Sequence, residues 1–145
     1  MSFAEKASKF VLAVGLVSVI GSLSFVIVGL IGAGVPITAL SFNEFALVWL
    51  GYMPLMVPVV SIAGALALPI AALMAKNPRA GLGAYATAGA VAGVVASTAL
   101  LWGLALAGPN IAAWGAVGLL PGAAAGLFWW QAVIRPERAE QGIAA

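Results

Sequence analysis

Four apolar runs, Phe10 to Gly32, Phe45 to Ala75, Leu82 to Ala107 and Ile111 to Ile134, carry no charged residue and fill most of the 145-residue chain. Each is long enough to cross a hydrocarbon core of about 30 Å as a helix, for which about 20 residues suffice. Lipid offers the backbone no hydrogen-bond partner, so a segment crossing it must be a helix or a strand of a closed barrel. The runs are too long and too evenly apolar for barrel strands, which alternate over about 10 residues. The expected fold is all-α: residues 1–145 form a single transmembrane domain, a polytopic membrane protein built as a four-transmembrane-helix bundle.

Composition supports this. Hydrophobic residues make up 64% of the chain and charged residues 7%, against about 25% charged in a soluble domain. The formal net charge is +2, with no basic stripe, so nucleic acid is not an expected partner. The chain has no Cys, no His and no Asp. That removes disulfides, thiolate chemistry, the usual zinc and haem ligands and the commonest general base. No catalytic, cofactor or metal residue is predicted, and the protein is expected not to be an enzyme.

The basic residues set an orientation. Lys6 and Lys9 precede the first span, Lys76 and Arg79 lie between the second and third, and Arg135 and Arg138 follow the fourth. All six fall on one side, which the positive-inside rule assigns to the cytoplasm. Both termini are expected inside a bacterial inner membrane, with the loop Ala33 to Glu44 and the turn Gly108-Pro109-Asn110 outside. The aromatic residues fit interfacial belts: Trp49, Trp102 and Trp114 at the outer ends, Tyr85, Trp129 and Trp130 at the inner ends.

Ser2-Phe3-Ala4-Glu5 and Ser41-Phe42-Asn43-Glu44 have the form of a capping box, in which Ser and Glu reciprocally satisfy orphan amides at a helix start. Residues Ser2 to Phe10 fit either a headgroup-lying stretch or a plain extension of the first helix. In the second run Pro54, Pro58 and Pro69 each lack the amide that would bond four residues back. The carbonyls of Leu50 and Pro54 lose partners in this way, which suggests a kink there. With Glu44 nearby, Leu50, Pro54 and Pro58 form the candidate polar site, although capping already accounts for Glu44.

Small residues mark helix-packing faces, because close backbone approach drives association in lipid. Gly89, Gly93 and Ser97 form one such face in the third span, and Gly118, Gly122 and Gly126 one in the fourth. Gly15, Ser18, Ser22 and Gly29 form a third in the first span. No ionisable group lies inside a span, and coupled transport ordinarily needs one. The expected role is therefore an accessory or assembly subunit of a larger membrane complex, its partners being the lipid bilayer and other subunits or itself. The alternative is a small oligomeric channel or facilitator for a neutral or weakly charged solute, with the second span lining the path.

Overall fold

A computed structural model of the chain describes residues 1–77, 79–103 and 115–142, with only the backbone of 101–103. Every element of regular structure among the described residues is helical. Four helices are long and apolar enough to cross a membrane: Phe3–Gly32, Phe42–Ala75, Leu82–Leu100 and Gly115–Glu140. The turn expected at Gly108-Pro109-Asn110 and the side chains of Trp102 and Trp114 lie outside the described residues.

Helix α1 (Phe3–Gly32) starts at a capping box in which Ser2 and Glu5 each accept or supply the reciprocal bond. Residues Ser2 to Phe10 thus continue the first span as one helix. A 3₁₀ turn (Ile37–Ala39) leads to α2 (Phe42–Ala75), which opens with the second capping box, Ser41 and Glu44. Helix α2 stays a single element across Pro54, Pro58 and Pro69. At 1.5 Å per residue its 34 residues extend about 51 Å, well past a hydrocarbon core.

Helix α3 (Leu82–Gly103) is followed by α4 (Leu119–Trp129), a π-helical turn (Trp130–Ile134) and α5 (Arg135–Glu140). The fourth span therefore runs helically beyond Ile134, where its apolar run ends. The π register is visible in the amide of Arg135, which donates to the carbonyl of Trp130, five residues back.

Packing runs round a ring. Helix α3 packs most intimately on α4, α1 packs on both α2 and α4, and α2 touches α3 only lightly. The buried positions of α1, Ala13, Val17, Gly21 and Ser18, Ser22, Val26, advance in steps of four, the spacing of ridges that interlock between helices. No residue of α2 is buried.

Candidate functional site

The α3–α4 contact is the closest in the fold, and glycine is the reason. A Cβ built on Gly89 would collide with the carbonyl oxygen of Gly122, one on Gly93 with that of Gly118, and one on Gly126 with that of Tyr85. From the other side, a Cβ on Gly118 would collide with the carbonyl oxygen of Gly93 and one on Gly122 with that of Gly89. Ser97 joins this seam, its hydroxyl donating to the carbonyls of Val94 and Gly115 at 3.1 and 3.2 Å.

The expected α1 face divides. Ser18 and Ser22 are fully buried, and Ser22 accepts a 2.9 Å bond from the indole Nε1 of Trp49 on α2. Gly15 and Gly29, predicted on the same face, have nothing within 4 Å of where a Cβ would stand. At about 100° per residue all four positions share one sector of about 60° on α1, so the difference lies along the axis: no neighbouring helix comes close at the heights of Gly15 and Gly29.

The second candidate set stays apart. Glu44 is exposed, and its carboxylate accepts from the Ser41 amide at 2.8 Å and the Ser41 hydroxyl at 2.7 Å. Those bonds, the hydroxyl one first, hold its pKa below the ordinary 4.5. Glu5 is lowered likewise, chiefly by the backbone bond from Ser2. Both lie just outside the apolar spans. Leu50, Pro54 and Pro58 are exposed on α2, one or more turns along, and none of them lines the cavity described below.

One end of the bundle gathers the basic residues. Lys6 pairs with Glu137 at 2.6 Å and the N-terminal amine with Glu140 at 3.2 Å, fastening the start of α1 to α5. The Arg138 guanidinium lies 4.8 Å from the centre of the Trp130 ring and donates to the carbonyl of Asn77 at 2.8 Å. It thereby ties α5 to the α2–α3 connection. Lys9 donates to the carbonyl of Ala132 at 2.5 Å. Pro136 has no amide to offer that carbonyl four residues back, so the lysine stands in for the missing donor.

Tyr85 and Trp130, expected as interfacial aromatics, lie at the basic end and are buried there. Their ring centroids are 5.2 Å apart, and with Ala80, Val133 and Ile134 they form the buried cluster at the basic end. Sequence reasoning missed Lys9 and Arg138 as well. The proline logic that exposed the carbonyls of Leu50 and Pro54 applies equally to Pro136 and was the one available signal.

Between the helices lies a cavity of about 190 Å³ walled by all four spans. Its lining is Ala, Gly and Val for most of its length, with Phe10, Met74, Tyr85 and Trp129 toward the basic end. Among the described residues no group of three or more His, Cys, Asp or Glu side chains could hold a metal ion. Comparison with known protein families, with curated proteins and with solved structures finds no match to this chain.

Proposed function

We propose that the chain is a non-enzymatic protein of a bacterial inner membrane, with both termini cytoplasmic, acting as an accessory or assembly subunit of a larger membrane complex. The observation that carries this reading is the state of α2. It is the longest helix, yet none of its residues is buried, and Pro54, Pro58 and Pro69 all lie on its exposed side. Each proline denies an amide to a carbonyl one turn back, those of Leu50, Pro54 and Ala65. Among the described residues no side-chain donor reaches these three, whereas Lys9 reaches the equivalent carbonyl made by Pro136. A carbonyl deprived of its helical amide is costly in hydrocarbon unless another donor reaches it, and a neighbouring subunit offering hydroxyl or amide donors would supply one.

The channel reading has less behind it. The cavity walls carry no Lys, Arg, Asp or Glu side chain, and Pro54, Pro58 and Pro69 of α2 do not line it. A photo-crosslinking residue placed at Leu55 or Leu66, exposed on α2, is compared with one at Val91 or Val95, exposed on α3, in the native membrane. The subunit reading expects a protein adduct of discrete mass from the α2 positions. Lipid adducts alone from all four positions overturn it.

A further inference from the structure

The cavity is partly open, and α2 and α3 are the neighbouring helices that touch least. Ala63, Ala67 and Ala71 on α2 and Ala88, Ala92 and Ala96 on α3 line it from the two sides. Rows of alanine at four-residue spacing ordinarily let two helices close on each other in lipid. Here they border a gap instead. The lining reaches from Tyr85 to Ser97 on α3 and from Met56 to Met74 on α2, twelve and eighteen steps, or about 18 and 27 Å along the axis. The slot therefore spans at least the depth of one leaflet, half of a core about 30 Å thick. A volume of about 190 Å³ drawn out over such a length is a narrow slot, the shape of one extended hydrocarbon chain. It is not the shape of a compact solute.

The charge at the slot's end matches a lipid of one sign. Met74 is the last residue of α2 to line the slot, Lys76 follows two residues on, and Arg79 lies in the connection to α3. Both cations are exposed. The ion pairs among the described residues engage Lys6 and the N-terminal amine, and none engages Lys76 or Arg79. The α2–α3 seam therefore ends under two uncommitted positive charges.

We infer that this slot is a binding site for an anionic phospholipid, which threads one acyl chain between the alanine rows of α2 and α3 and sets its phosphate against Lys76 and Arg79. The chain replaces dispersion contacts that the gap denies to its walls, and the two cations select the headgroup. The inference requires the protein to sit in a bilayer and is independent of its being a subunit of a complex.

The test uses the full-length protein in nanodiscs of equal parts phosphatidylglycerol and phosphatidylcholine, each supplied in turn with a photoreactive group on its acyl chain. Adducts are mapped by mass spectrometry. Phosphatidylglycerol adducts are expected on segments 63–71 and 88–96, enriched over phosphatidylcholine by roughly fivefold for each cation, equivalent to about 1 kcal/mol. Lys76→Gln with Arg79→Gln brings the two lipids to parity while leaving the slot labelled. Ala67→Phe removes the slot adducts, with helix content checked by circular dichroism. If that variant does not fold, the wild-type map still decides. Adducts confined to outward positions such as Leu66 and Leu73, or equal labelling by both lipids in the wild type, overturn the inference. Protein crosslinks filling the slot in place of lipid do so as well.

Discussion

The ammonium of Lys9 and the carbonyl of Ala132 are joined at 2.5 Å, across the 123 residues that separate α1 from the π-helical turn. The acceptor is available because Pro136 cannot supply the amide that would otherwise occupy it. A defect in the last helix has become an anchor for the first.

The two positions should therefore be coupled. Lys9→Met is expected to cost about 1.5–3 kcal/mol, the range for a hydrogen bond to a charged group, measured by unfolding in mixed micelles. In a Pro136→Ala background, where a helical amide can return to Ala132, the same change should cost much less. Equal costs in the two backgrounds would mean that the lysine does not serve this carbonyl.

Glycine should matter at the α3–α4 seam and nowhere else along the predicted faces. Gly118→Ala or Gly122→Ala places a methyl against a backbone carbonyl and forces the helices apart, with an expected loss of about 1–3 kcal/mol or more, as for overpacking. Gly15→Ala and Gly29→Ala meet open space and should be neutral or stabilise by up to about 1 kcal/mol through helix propensity. Thermal unfolding in detergent of the four variants separates the two classes, and a uniform response would refute the distinction.

The indole of Trp49 on α2 donates to the Ser22 hydroxyl at 2.9 Å and to the Val19 carbonyl at 3.4 Å on α1. A double-mutant cycle with Trp49→Phe and Ser22→Ala should return a coupling of about 0.6 kcal/mol, and no more than about 1.7, the values found for hydrogen bonds between membrane helices. A coupling indistinguishable from zero would show that packing alone holds the pair.

Acid should loosen the two helix starts. In the folded chain both Glu5 and Glu44 titrate below the ordinary 4.5, so each capping box contributes fully above that value. The contribution is lost as pH falls through the lowered pKa. Amide exchange at Ser2 and Ser41 should therefore accelerate on acidification beyond the intrinsic pH dependence. Glu5→Gln and Glu44→Gln should abolish this extra acceleration, and if they do not, the carboxylates are not its source.

The absence of cysteine makes orientation directly measurable. Single substitutions Ser8→Cys and Gln141→Cys should react with a membrane-impermeant maleimide only in inverted vesicles, and Thr38→Cys only in right-side-out cells. Labelling of Ser8→Cys and Thr38→Cys from the same side would rule out the proposed topology.

The spans and the basic end could be read in the chain because both depend on local properties, apolar length and charge position. The α3 and α4 glycine faces were readable for a related reason: two short, dense rows of small residues have few alternative uses. The α1 row shares a sector, but which stretch of it meets another helix depends on where α2 and α4 cross α1, and they do not come close at Gly15 or Gly29. Tyr85 and Trp130 were assigned to an interface by residue type, but their mutual contact depends on how α3 meets the π-helical turn. The slot could not be foreseen at all, since an alanine row reads the same whether its partner closes on it or stands off. Lys9 reaching Ala132 is likewise a relation between distant residues that no local pattern records.

The ring of contacts bears on how such a bundle is assembled during synthesis. The ribosome delivers α1 and α2 first, and the face of α1 around Gly21 then waits for Pro121 of α4, which it meets in the finished fold. The tightest pair, α3 with α4, is delivered after them. The ion pair between Lys6 and Glu137 joins the first helix made to the last, so it cannot form until the whole bundle has emerged. A ribosome stalled before α4 would leave the face of α1 around Gly21 without Pro121, a surface by which quality control could recognise an unfinished chain.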